Sequence, residues 1–151
     1  MLIVGMGISP DIWGPHAWAF IHLMILAEKE PFDKGRLPFY HNYFELLTQL
    51  LPCEKCRLHL QDNLKKLKPL SEIQNKEDLF AWSVELHNLV NESHGKPRYN
   101  FENMYAFWKD ISVGKKTLNN KVCQKNTYKW ISLGLFIIVL LLLIEKVRRK
   151  K

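Results

Sequence analysis

The stretch Phe39-Tyr40-His41-Asn42-Tyr43-Phe44-Glu45-Leu46-Leu47-Thr48-Gln49-Leu50-Leu51-Pro52-Cys53-Glu54-Lys55-Cys56 decides the fold. Phe39, Tyr43, Leu46, Leu47 and Leu50 recur at the three-to-four spacing of one helical face. That helix stops at Leu51-Pro52, because a residue before proline is pushed out of the helical region. Cys53 then opens a further helix running to about Leu67, which places two of the chain's 3 cysteines at a helix N-terminus. Unpaired N–H groups and the positive end of the helix dipole lower the pKa of a thiol held there and improve it as an attacking or leaving group. The same spacing serves a redox disulfide, half a zinc site or two packed cysteines, and the pair alone leaves all three open.

Helical periodicity continues on both sides. Asp11 is positioned to cap a helix with Gly14, Trp18, His22 and Ile25 on one face, ending before Pro31. Lys34, Gly35 and Pro38 mark a loop. Glu77 to Ser93 makes a fourth helix with Leu79, Leu86 and Val90 inward, closed by Gly95 and Pro97. Phe101 to Lys109 makes a short fifth. No run alternates as a strand does, and nothing repeats internally. The sequence therefore predicts an all-α fold, a four-helix bundle plus a short fifth helix, which can hold a ligand between its helices.

Charge separates this part from the rest. The net charge is +7, yet residues 1–108 hold 11 Lys or Arg against 13 Asp or Glu, whereas residues 109–151 hold 11 against 2. The basic tail brackets Trp130 to Ile144, 15 residues without a charge, which reads as a membrane anchor rather than a nucleic-acid arm. A span of the hydrocarbon core needs about 20 apolar residues. Snorkelling by Lys129 and Lys146, with Tyr128 and Trp130 at the interface, makes up the difference. The expected organisation is a helical domain at 1–110, a polar linker at 111–127, a single transmembrane helix at 128–147 and a basic tail at 148–151. Lys146, Arg148, Arg149, Lys150 and Lys151 favour a cytosolic C-terminus. Met1 to Ile8 lacks the charged leader and length of a signal peptide, and a tail-anchored route would instead leave the N-terminal domain in the cytosol.

Three segments carry a family resemblance. Trp13-Gly14-Pro15-His16-Ala17-Trp18-Ala19-Phe20-Ile21-His22, then Pro52-Cys53-Glu54-Lys55-Cys56-Arg57-Leu58-His59, then His87-Asn88-Leu89-Val90-Asn91-Glu92-Ser93-His94-Gly95-Lys96-Pro97, with Trp108 as a late tryptophan, resemble in order and spacing the Erv/ALR family of FAD-linked sulfhydryl oxidases. The resemblance spans about residues 11–110 and implies a helical bundle with FAD in its mouth, usually a homodimer. It implies that Cys53 and Cys56 are catalytic, Cys56 nearer the flavin and Cys53 the sulfur attacked by substrate. A dithiol or thioredoxin-like protein would be oxidised, with O2 taking the electrons and becoming H2O2. It further implies FAD contacts from Gly14, Trp18, His22, Cys56, His87, Asn88, Val90, Asn91, Lys96 and Trp108, and no metal.

Helical geometry agrees with that pocket. Gly14, Trp18 and His22 stand at successive i, i+4 positions, so a missing side chain lets a flat ring approach while Trp18 stacks and His22 offers a hydrogen bond. His87, Val90 and Asn91 share a face. Lys96 is placed for a pyrophosphate and Trp108 for an adenine. Lys55 and Arg57 flank the cysteines and favour thiolate character, unless both are simply solvated.

Departures from the family pattern matter too. Leu51 replaces a common tyrosine two residues before the pair, with Tyr43 or Tyr99 as substitutes; His94 replaces a leucine, and the usual bracing disulfide has no cysteines. No second cysteine pair exists to shuttle electrons, so a separate thiol protein must supply them. This plan resembles the small sulfhydryl oxidases of large DNA viruses, which implies a host membrane or virion location; a eukaryotic organelle membrane is the alternative. Cys123 reads as a free thiol, a lipidation site or an intermolecular bridge. Two competing readings remain: a membrane-anchored zinc adaptor using Cys53, Cys56, His59 and His87, and a flavin-free thioredoxin-like reductase, which the missing strands disfavour.

Overall fold

The structure is a computed structural model that describes residues 7–117. Five helices follow one another: α1 (Pro10–Leu26), α2 (Leu37–Leu50), α3 (Glu54–Leu64), α4 (Lys76–Ser93) and α5 (Phe101–Ser112), with single 3₁₀ turns at Lys34–Arg36 and Leu70–Glu72. No strand occurs among the described residues, so the all-α expectation holds. Helix α4 is the central element and packs on α1, α3 and α5, while α2 packs on α3. Among the described residues no helix is long and apolar enough to cross a membrane. The expected anchor at 128–147, Cys123 and the basic tail lie outside the described residues.

Local chemistry sets each boundary. Ser9, not Asp11, caps α1; its Oγ accepts from the Asp11 N–H, and Pro10 takes the first helical position, where its missing N–H costs nothing. Pro38 also falls in a first turn, so α2 begins at Leu37, earlier than the loop reading of Pro38 allows. Asn75 caps α4 through a 2.7 Å bond from the Asp78 N–H, and the Asp78 carboxylate accepts from the Gln74 N–H in return. At the far end Gly95 takes φ +65°, Gly95 N donates to Glu92 O and Lys96 N donates to Asn91 O, which closes α4 where the sequence places its end. Helix α5 runs one turn beyond Lys109.

The core joins Ile21 and Ile25 of α1, Tyr40 and Phe44 of α2, Leu60 of α3, Leu79, Phe80, Trp82 and Leu86 of α4 and Trp108 of α5. Burying each large side chain contributes about 1.5–3 kcal/mol. The apolar residues read at helical spacing on α2 largely face the other way. Phe39, Leu46 and Leu50 are 64%, 54% and 70% exposed, and the buried face is Leu37, Tyr40 and Phe44. Tyr43 connects the two sides, 6.5 Å from the exposed Phe20 ring of α1 and 5.4 Å from Phe44.

Candidate functional site

Cys53 and Cys56 form a disulfide with their Cα atoms 5.1 Å apart. Cys53 is the N-cap of α3, extended at φ −142°, and its Sγ accepts the Cys56 N–H at 3.2 Å. The same N–H would hold a Cys53 thiolate once the bond opens, which is the helix-terminus stabilisation expected from sequence. Both cysteines are half-buried. Arg57 is not free in solvent: its Nη1 donates to Leu51 O at 2.7 Å, tying the C-cap carbonyl just after α2 to the helix that carries the cysteines. Glu54 and Lys55 are exposed.

A second cluster forms where α1, α4 and α5 meet. The Trp18 indole stacks on His87 at 3.9 Å between centroids and 7° between planes. His22 Nε2 lies 3.3 Å from His87 Nδ1, and the His22 and Trp108 rings are 5.5 Å apart. The hydrogen-bond chain fixes both tautomers. Ser83 Oγ donates to Phe80 O at 2.7 Å, so its lone pair accepts from His22 Nδ1 at 3.1 Å. His22 Nε2 is then an acceptor, His87 Nδ1 donates to it, and His87 Nε2 is left as an acceptor for whatever binds there. Burial, with the facing His87, lowers His22 to about 3. Burial, with the Lys96 charge, lowers His87 to about 4. The site thus presents neutral imidazoles at neutral pH.

The other expected contacts divide into two groups. Asn88 donates from Nδ2 to Tyr99 O and accepts the Tyr99 N–H at Oδ1, while Asn91 Nδ2 donates to Pro97 O. These amides hold the segment between α4 and α5 and so position Lys96, whose Nζ is 3.6 Å from Asp11 Oδ1. Val90 is half-buried on α4. Of the two tyrosines proposed to replace the aromatic at Leu51, Tyr99 joins the cluster with its ring 4.9 Å from His87, whereas Tyr43 packs in the seam of α1 and α2. Ser83 is the functional residue the sequence reading missed. Its only signal is a hydroxyl four residues before His87, one turn away on the same side of α4.

The cluster suits a planar cofactor. A Cβ built on Gly14 would meet nothing within 4 Å, so this edge of α1 is open. Trp108 Nε1 is a buried donor without an acceptor, a state that buried polar groups rarely keep. A ring entering between α1 and α4 must replace or join the Trp18–His87 stack. A separate cavity of about 570 Å³, lined by Phe20, Met24, Glu28, Pro31 and Arg36, lies towards the C-terminal end of α1 and does not include these residues.

The zinc alternative finds no support. Cys53 and Cys56 are bonded to each other, His59 faces His94 and His87 pairs with His22. No group of three or more His, Cys, Asp or Glu able to hold a metal occurs among the described residues.

Comparison with known proteins decides the family. The sequence profile described as "Erv1 / Alr family" matches residues 15–109. This chain belongs to the Erv1/Alr family. It is 32% identical over 124 residues to a protein of Acanthamoeba polyphaga mimivirus named "Probable FAD-linked sulfhydryl oxidase", covering 81% of this chain and 80% of that one. It is 26% identical to the mitochondrial FAD-linked sulfhydryl oxidase of Saccharomyces cerevisiae, covering 67% of this chain and 53% of the yeast protein, about half its length. The crystal structure of the FAD-binding domain of yeast Erv1 superposes with a TM-score of 0.61 at 19% identity, over 68% of this chain and 96% of that domain, which shows a shared fold. The profile match includes both cysteines and both histidines of the cluster.

Proposed function

We propose that this Erv1/Alr member is an FAD-linked thiol oxidase that forms disulfides in a partner protein through Cys53 and Cys56. The observation that carries this reading is the Cys53–Cys56 disulfide at the N-terminus of α3, in a bundle whose neighbouring helices hold an aromatic and imidazole cluster open at Gly14. A substrate thiolate attacks Cys53 Sγ, the Cys53–Cys56 bond breaks, and Cys56 leaves as a thiolate. The substrate's second thiolate then attacks its own sulfur in the mixed disulfide and releases Cys53. Two substrate thiols have become a disulfide, and their two electrons rest on the cysteine pair. The Cys56 N–H holds the released Cys53 sulfur, and Arg57 keeps the turn in place.

Bound FAD supplies the two-electron chemistry that returns the pair to a disulfide and passes the electrons to O2, giving H2O2. Gly14, Trp18, His22, Cys56, His87, Val90, Lys96 and Trp108 would hold it, with Asn88 and Asn91 bracing the Lys96 segment. His87 Nε2 offers an acceptor, Trp108 Nε1 a donor and Lys96 a positive charge. An absorption spectrum tests the assignment. Purified protein should be yellow, bleach anaerobically with dithiothreitol and regain its bands in air; colourless protein that does not take up FAD would overturn it.

A second copy of the chain covers the outer face of α2. Phe39, Tyr43, Leu46 and Leu50 form one stripe, joined to Phe20 of α1, and a stripe of this kind on a helix pair suits an isologous contact. The uncharged run at 130–144 anchors the protein in a host membrane or virion. Its substrate is a separate dithiol or thioredoxin-like protein, whose thiolate reaches the half-buried Cys53 at the N-terminus of α3.

A further inference from the structure

Gly7 lies against the redox turn itself. A Cβ at this position would overlap Pro52 O and stand 2.9 Å from Cys53 Cα and 3.0 Å from the Pro52 carbonyl carbon. These are backbone atoms and cannot swing aside as a side-chain end can, so only glycine allows this approach. The segment is also tied at its other end. Trp13 Nε1 donates to Ile8 O at 3.0 Å, and Ser9 caps α1 through its Oγ and its carbonyl. Gly7-Ile8-Ser9 is therefore a strap against the backbone of Pro52 and Cys53, with the Ile8 side chain exposed at its edge.

We propose that Gly7 is a specificity-determining residue, whose strap walls one side of Cys53 and limits the size of the thiol that reaches its sulfur. The proposal rests on Cys53 being the substrate-facing cysteine, and it extends that reading from the sulfur to the route of approach. A small dithiol passes the strap without displacing it. A protein thiol has to present its sulfur on a narrow, extended segment, because a broad surface collides with the strap beside the Cys53 backbone. Bond making and breaking are those of the exchange above; the strap changes access alone.

Alkylation of the full chain, in a Cys123→Ser background, tests this without turnover. The protein is reduced with dithiothreitol, desalted anaerobically and pulsed with N-ethylmaleimide or with a polyethylene-glycol maleimide, which share one electrophile and differ in bulk. Peptide mass spectrometry separates Cys53 from Cys56. Gly7→Ala should raise the bulky-to-small rate ratio at Cys53 by about fivefold or more, the size of effect that a loss of order 1 kcal/mol of strap contact produces, and leave the ratio at Cys56 unchanged. A ratio at Cys53 that does not change, or a rise equal at both cysteines, overturns the proposal. Should Gly7→Ala fail to fold by circular dichroism, Trp13→Phe decides by the same two criteria, because it removes the donor to Ile8 O and keeps the ring. The measurement needs neither flavin nor oxygen, so a colourless protein would sink the oxidase assignment without touching this result.

Discussion

His22 Nε2 and His87 Nδ1 lie 3.3 Å apart, joining α1 to α4 through two imidazoles that are both neutral in the folded protein. Lowered to about 3 and about 4, they bind protons less readily than in the unfolded chain, where the ordinary value is 6.5. The sign follows directly. Above pH 6.5 neither state is protonated and stability does not depend on these groups; as pH falls from 6.5 towards 4 the unfolded state gains protons that the folded state refuses. Each imidazole then removes up to about 1.4 kcal/mol per pH unit. Thermal melts should show Tm falling between pH 6.5 and 4, with a shallower fall in His87→Gln. An equal slope in the variant would mean that other groups carry the acid lability.

Ser83 fixes the direction of that hydrogen bond. It is fully buried and accepts from a fully buried His22. Ser83→Ala leaves the His22 Nδ1–H without a partner, which costs about 1–3 kcal/mol. Urea unfolding at pH 7 should show the loss, and nitrogen chemical shifts of the His22 ring should show mixed tautomers in place of one. A stability equal to wild type would indicate that the ring has found another acceptor.

Much of this arrangement is written locally, and what is not written locally is what the sequence hides. Pro52 before Cys53 and Gly95 before Lys96 act within one turn, so the start of α3 and the end of α4 can be read from neighbours alone. The stripe of Phe39, Leu46 and Leu50 reads equally well as a core or an outer face, because periodicity reports only that apolar residues share a side. Tyr40 and Phe44 take the inner side through contacts with other helices. Asn88 and Asn91 match the family pattern, yet their amides are used on Tyr99 and Pro97, a role set by the path of the next segment. Gly7 carries no local signal, since the atoms that require it belong to residues 52 and 53.

The two cysteines should fail differently. Cys56→Ser and Cys53→Ser each remove the disulfide, so oxygen uptake with dithiothreitol should drop to background in both, at least about a hundredfold, while FAD retention persists because the cluster on α1 and α4 is untouched. Only a Cys53 left alone by Cys56→Ser should trap a substrate as a mixed disulfide stable enough to see by mass spectrometry. Activity near wild type in either variant would show that electrons enter by another route.

The outer stripe of α2 gives the last prediction. Leu46 and Leu50 stand one turn apart and are both more than half exposed, so charges there are solvated in a monomer and desolvated in a dimer built on this face. Leu46→Glu combined with Leu50→Glu should therefore leave the monomer folded and raise the dimer dissociation constant by about a hundredfold or more, which corresponds to ~3 kcal/mol. Sedimentation velocity across a concentration series distinguishes the two states. Because Leu50 ends the helix that leads into Leu51-Pro52-Cys53, the same pair reports whether assembly and the redox turn are coupled: thiol exchange at Cys53 should keep its wild-type rate in the monomer, since the turn is held from within the chain by the Arg57 bond to Leu51 O. A wild-type dimer in the double variant would remove this face as the contact.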